Sequence, residues 1–246
     1  MRLGFLLLAL PSLVLSCAHP LLEEIPLQPD FGVRNTGKTA TVIWTTPRGV
    51  KHALPYYTNL DHCKTSGPPS FIVPRAFQKA NPALGSALTD IESVPYLEKL
   101  YTSTFTQALQ SRGIRIVDTQ SQFGQERIQR KKKGEATEPR YDFAQFAQRH
   151  ALDYIFLLEL RCFGAVLAER YTLKPGDSTL TLTFAVGSLI DTATDKILWQ
   201  YPIMVKERVE GQWNQPPNYP TLTRSIVKTL ERALSEIYYS FFKQRL

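Results

Sequence analysis

The chain has 246 residues, 43% of them apolar and 21% charged, and a formal net charge of +7. Composition of this kind excludes a disordered chain, and the length suffices for one good-sized domain with a substantial core. The modest positive charge suits anionic neighbours such as lipid headgroups or acidic polymers without selecting among them.

Arg2 is followed by an apolar run, Leu3 to Leu15, that ends in Val14-Leu15-Ser16-Cys17. At 13 residues the run is shorter than the roughly 20 needed to cross a bilayer as a helix, and Pro11 interrupts it. A signal peptide over residues 1–16 is therefore expected rather than a permanent span. The context of Cys17 resembles the lipobox of bacterial lipoprotein precursors. The resemblance implies cleavage before Cys17, acylation of its thiol by palmitate-type chains, export, and a membrane engaged through lipid. With Ala18 rather than Asp next, it implies the outer membrane, on its periplasmic face. Each buried methylene contributes about 0.8 kcal/mol, so two chains already anchor stably. The competing reading is an ordinary signal cleaved elsewhere, with Cys17 incidental. Residues 17–37 contain Pro20, Pro26 and Pro29 and little periodicity, so they are expected to form a lipidated terminus and semi-extended tether. Residues 38–246 are then a single globular domain.

Thr39-Ala40-Thr41-Val42-Ile43-Trp44 is the first strand expected, rich in β-branched residues. From residue 47 to 82 the chain carries Pro47, Pro55, Pro68, Pro69, Pro74 and Pro82, and a mostly irregular stretch is expected there. A helix fits from about Val94 to Ser111, with Leu97, Leu100, Tyr101, Phe105 and Leu109 on its apolar side. Gly113 suits its end. A short strand over Ile114 to Asp118 follows. Next come a basic loop and a short helix near Asp142 to His150, with Asp142 as its cap.

Residues Asp153 to Leu160 are almost continuously apolar, as a strand covered on both faces requires. Thr179 to Ile190 alternates, with Leu180, Leu182, Phe184 and Val186 on one side and Thr181, Thr183 and Ala185 on the other. After the turn residues Asp191 to Asp195, the positions Ile197, Trp199, Tyr201, Ile203 and Val205 alternate again. A hairpin results, with Pro202 placing its second strand at an edge or bulge. From Thr221 onward Leu222, Ile226, Leu230, Leu234, Ile237 and Phe241 form a helical stripe, opposed by Lys228, Glu231, Arg232 and Glu236. The order strand, helix, strand, helix, strand, strand, strand, helix points to an α/β or α+β fold, a mixed sheet of about five strands with helices packed on it.

Arg127, Arg130, Lys131, Lys132 and Lys133 concentrate positive charge. They make either an electrostatic patch for lipid or polymer or simply a solvated loop. Nucleic acid is not expected as a partner, since no recognition motif accompanies them. With Cys17 assigned to lipid, Cys63 and Cys162 remain as a pair able to form a disulfide in an oxidising compartment. Cys162 fits a packed thiol equally well.

The hairpin Leu189-Ile190-Asp191-Thr192-Ala193-Thr194-Asp195-Lys196-Ile197-Leu198-Trp199 and the order of elements resemble two groups of periplasmic lipoprotein domains. These are the TolB N-terminal domain and the penicillin-binding-protein activator lipoproteins. Gly211-Gln212-Trp213-Asn214-Gln215-Pro216-Pro217-Asn218-Tyr219-Pro220 ahead of a final helix also resembles uncharacterised proteobacterial lipoproteins.

No catalytic constellation is legible: there is no GxSxG elbow, P-loop or dinucleotide fingerprint. Asp61-His62-Cys63 lacks the spacing partners of a metal site, so neither metal nor cofactor is expected. Glu159, in an apolar strand, is the acidic residue to follow, and its simplest fates are pairing with Arg161 or reaching solvent. The function expected is that of a non-enzymatic accessory or assembly lipoprotein binding a protein partner, with Trp213 and Tyr219 as contact residues unless they pack under the last helix. A lipid-, glycan- or peptidoglycan-binding module is the alternative.

Overall fold

The computed structural model describes residues 22–45, 50–53, 70–74, 93–126, 138–167, 179–213 and 215–243, together with residues 83, 128 and 131. In chain order the elements are α1 (Phe31–Arg34), β1 (Thr39–Thr45), β2 (Val50–Ala53), β3 (Ser70–Pro74), α2 (Ser93–Gln110), β4 (Arg115–Ile116), α3 (Gln120–Gln125), α4 (Ala144–His150), β5 (Tyr154–Leu167), β6 (Thr179–Asp191), β7 (Lys196–Arg208) and α5 (Pro220–Phe242). The fold is a mixed sheet with helices packed on it, of the α+β kind. The expected strands are all present.

The proline-rich stretch departs from expectation by contributing two more strands, β2 and β3, to a seven-stranded sheet. Short strands paired with distant partners leave little local periodicity to detect, and Pro74 falls at the end of β3, where a missing N–H costs least. β5 is the spine. Along one edge it pairs antiparallel with β6 over its whole length, and β6 pairs with β7. Its other edge is shared in tandem by two parallel strands. β1 pairs from Ala40↔Tyr154 to Thr45↔Glu159, and β3 begins at Ser70↔Cys162.

Alternation along β1 and β5 divides the core. Val42, Trp44, Phe156 and Leu158 face one layer, made by α2 and α5; Ile43, Ile155 and Leu157 face the other, with Phe143 and Phe146 of α4 and its approach. The final helix fulfils its pattern, with all six stripe residues buried. Each such side chain contributes roughly 1.5–3 kcal/mol on leaving water. Phe241 lies edge-on to Trp199 at 4.8 Å and to Phe156 at 4.9 Å, tying the end of α5 to the centre of the sheet. On α2, Leu97, Tyr101, Phe105 and Leu109 are buried as expected, but Leu100 is exposed, because the α2 stripe follows the other row against α5.

The hairpin differs in one respect. A bulge between Leu189 and Ile190 makes Leu198 the extra residue, so Ile197 faces α4 while Trp199 faces α5. Thr181 and Thr183 do not face water. Their hydroxyls meet Ser225 Oγ at 3.0 Å and Thr229 Oγ1 at 2.9 Å beneath α5. β7 is an edge strand, as Pro202 requires.

The expected tether is, from Leu22 on, part of the folded body. Ile25 and Gln200 exchange backbone hydrogen bonds of 2.9 Å across the open edge of β7, and Gln200 Nε2 donates to the Glu23 carbonyl at 2.8 Å. Leu22, Ile25 and Leu27 each pack on the core, and Phe31 is buried edge-on to Tyr154 and Phe241. An edge strand with unpaired backbone groups invites such cover.

Candidate functional site

In open sheets with parallel strands, binding sites favour the carboxyl ends of those strands. Here that end of β1 faces the junction where β3 takes over the β5 edge. β5 bulges at this junction, with Arg161 the inserted residue between Leu160 and Cys162. Bulges re-aim side chains. Arg161 is turned so that its Nη2 donates to Glu159 Oε2 at 2.9 Å, and Arg140, from the segment before α4, places Nη1 3.6 Å from Glu159 Oε1. Glu159 and Arg161 are each 3% exposed. Of the two fates expected for Glu159, pairing with Arg161 is the one observed and reaching solvent is not, and Arg140 adds a second cation that no local spacing announced. Both carboxylate oxygens face guanidinium groups, Oε2 through a hydrogen bond and Oε1 through the longer ion-pair contact alone, so Glu159 is held as an ion-pair partner. The cluster divides the apolar packing on this face: Ile155 and Leu157 lie on one side of it, Cys162, Leu182 and Phe184 on the other.

Across the edge of β1, Gln120 stands in for a neighbouring strand. Its Oε1 accepts from the Trp44 amide at 2.8 Å, and its Nε2 donates to the Trp44 carbonyl at 3.0 Å and to Glu98 Oε1 at 3.2 Å. Burial raises the Glu98 carboxyl above its usual range, and the Gln120 hydrogen bond partly offsets this. The opposite end of β1 is closed by Asp153. It accepts from the Thr39 amide at 2.8 Å and from Lys38 Nζ at 3.0 Å, while the Thr192 hydroxyl donates to its carbonyl at 2.9 Å.

A second polar surface lies where β7 ends and α5 begins. Lys228 Nζ and Arg232 Nη1 approach the Glu207 carboxylate at 2.9 and 3.2 Å. The Lys228 hydrogen bond holds Glu207 below the usual carboxylate range despite its burial, and Glu207 in turn raises Lys228. Lys206, Arg208 and Arg224 are exposed beside them. Positions 224, 228 and 232 recur every four residues, a helical-face signal visible in the sequence once α5 is assigned.

The residues singled out in the sequence fall differently. Trp213 and Tyr219 are buried, 4% and 1% exposed, in the main core against Leu222. They pack under the start of α5 and are not a contact surface. Tyr219 adopts φ 47° at the N-cap, and its carbonyl accepts from Thr223, so it is the hinge about which the chain turns into the helix. In the basic cluster Lys131 pairs with Asp195 of the hairpin turn. Arg127, Arg130, Lys132 and Lys133 lie outside the described residues, as do Cys17, Cys63 and Asp61-His62-Cys63. Cys162 is buried and disulfide-bonded. Asp142 accepts from the Ala144 amide at 3.2 Å, one residue ahead of the observed N-cap, Phe143. Among the described residues no helix is long and apolar enough to cross a membrane.

No protein-family model matches the chain, and no curated protein sequence does. Similar solved structures include a Helicobacter pylori protein described as a homolog of a neuraminyllactose-binding hemagglutinin. It shows 9% identity and a TM-score of 0.35, over 85% of this chain and 83% of that one. A Xanthomonas campestris protein of the DUF330 family shows 9% identity and a TM-score of 0.32, over 89% and 92%. Lipoprotein GNA1162 from Neisseria meningitidis shows 10% identity and a TM-score of 0.25, over 78% and 99%. At these scores the likenesses carry no functional argument.

Proposed function

We propose that the chain is a lipid-anchored accessory lipoprotein of the bacterial envelope, held on the periplasmic face of the outer membrane and acting by binding a protein partner. The observation that carries this is Val14-Leu15-Ser16-Cys17 at the end of an apolar run too short to span a bilayer. The disulfide at Cys162 supports it, since such bonds persist in oxidising compartments. On this reading Cys63 is the partner of Cys162, because Cys17 carries the lipid.

Trp213 and Tyr219 are in the core, and the contact surface we propose is instead on α2. Tyr96 and Leu100, one helical turn apart, are 65% and 43% exposed. Large apolar side chains on an outer helix face suit a partner contact. Crosslinking of the full lipidated chain in intact cells, wild type against Tyr96→Glu/Leu100→Glu, tests this. A stoichiometric crosslinked species lost in the variant, with an unchanged melting curve, supports the reading. Repeated absence of any crosslinked species from the wild type contradicts it.

A further inference from the structure

The route by which the chain enters the folded body, together with the charge on one end of the sheet, defines which way the molecule faces. Leu22 packs in a cluster with Met204, and Ile25 pairs antiparallel with Gln200. The N-terminal segment therefore runs antiparallel to β7, and its upstream direction is toward Lys206 and Arg208. If Cys17 opens the mature chain, five residue steps separate the acylated residue from Leu22, a reach of at most about 18 Å. The acyl chains are buried in the bilayer, so Leu22 stays close above the headgroups.

At that end of β7 the surface is basic. Lys206, Arg208, Arg224, Lys228 and Arg232 are exposed, against Glu207 and Glu210 on the same surface and the exposed Glu23 and Glu24 on the incoming segment. Glu207 is shared by Lys228 and Arg232, and on the β7–α5 surface the five cationic side chains outnumber the two carboxylates. The other end of β7 is well removed: Lys196 and Lys206 are ten positions apart on one strand, about 33 Å. A screening length of about 8 Å at physiological ionic strength lets only the near end feel a charged bilayer.

We infer that the Lys206–Arg208 end of β7 and the Arg224–Lys228–Arg232 face of α5 lie against anionic phospholipid headgroups. The body is thereby oriented on the membrane rather than swinging from it, and the Thr192–Asp195 turn points into the periplasm. The inference rests on lipid anchoring at Cys17. A single acylated point holds the protein but leaves its rotation free. A cationic surface beside the point of attachment fixes that rotation, and phosphate-bearing lipid is the chemistry that complements it.

The test uses the full lipidated chain in vesicles of phosphatidylcholine alone or mixed with phosphatidylglycerol. A water-soluble acetylating reagent is added and each lysine is followed by mass spectrometry. Lys206 and Lys228 are expected to react several-fold more slowly in the anionic vesicles than in the neutral ones, with Lys196 unchanged and the difference abolished by high salt. Lys206→Glu/Arg224→Glu, at two exposed positions, is expected to remove the protection of Lys228 while the protein still floats with the vesicles. Floating protein with equal reactivity in both vesicles, or with Lys196 the protected residue, overturns the orientation alone. Protein that does not float overturns the anchor, and the orientation with it.

Discussion

Thr183 on β6 and Thr229 on α5 share a hydrogen bond of 2.9 Å, with neither residue accessible to water. Thr229 Oγ1 also donates to the Ile226 carbonyl at 2.8 Å, so its proton is committed within the helix and Thr183 is the donor of the pair. The two substitutions to valine are therefore unequal. Thr229→Val leaves the Thr183 hydroxyl without its acceptor and costs about 1–3 kcal/mol, whereas Thr183→Val leaves Thr229 bonded and costs about 1 kcal/mol. The double variant is expected to lose less than the sum. Urea denaturation of the four proteins measures the cycle.

Gly187 fixes how closely α5 approaches the same strand. A Cβ there would stand 2.6 Å from Ile237 Cγ2 and 2.6 Å from Trp199 Cη2, both inside the packed core. Gly187→Ala is expected to destabilise by about 1–3 kcal/mol through overpacking. Combined with Ile237→Ala, which is itself destabilising, the loss is expected to be smaller than the sum of the two single losses, and a thermal melt of each variant checks both.

The parts of this fold that were legible in the sequence are those whose period is unbroken. α5 was read residue by residue, because six stripe positions over 23 residues leave one rotation of the helix possible. The alternation of β7 identifies a strand but gives Ile197 the wrong face, since the extra residue Leu198 reverses it and bulges have no local signature. The alternation of β6 puts Thr181 and Thr183 on one face, as observed, but does not show what covers them; the distant Ser225 and Thr229 make their burial acceptable. Trp213 and Tyr219 beside prolines resembled a contact loop, and the chain instead uses them to fill the corner before α5. At the β1–β3 junction Glu159 and Arg161 were legible as a pair. Arg140 was not, since its link to Glu159 runs through tertiary structure. The basic face of α5 was overshadowed by the denser run at Arg130 to Lys133.

The Glu159 cluster is expected to support structure. Glu159→Ala leaves Arg161 and Arg140 buried without their carboxylate, and loss of one partner from a buried pair costs about 3–5 kcal/mol. Replacing Glu159 and Arg161 together by apolar residues of similar size is expected to cost less than Glu159→Ala alone. Denaturation midpoints decide between this and independent, additive effects.

Acid stability depends on Asp153. Burial pushes its carboxyl up, but the Thr39 amide, Lys38 and Arg115 outweigh that, so the group lies below its ordinary range. A depressed carboxylate stabilises the fold above its unfolded-state value, and this contribution is lost as pH falls through the folded-state value. Glu207 acts in the same direction. Asp153→Asn is expected to cost about 1 kcal/mol near neutrality. Below about pH 4 that difference should shrink, as the wild-type carboxylate protonates. Urea midpoints of both proteins across this range measure it.

What is attached to Cys17 decides the anchor, and the mass of the amino-terminal peptide from protein purified out of bacterial membranes tests it directly. The predicted result is a peptide that begins at Cys17 and carries fatty acyl chains, lost on Cys17→Ser. A peptide with an unmodified Cys17, or one that begins at another residue, would contradict the anchor, the assigned compartment and the orientation drawn from them.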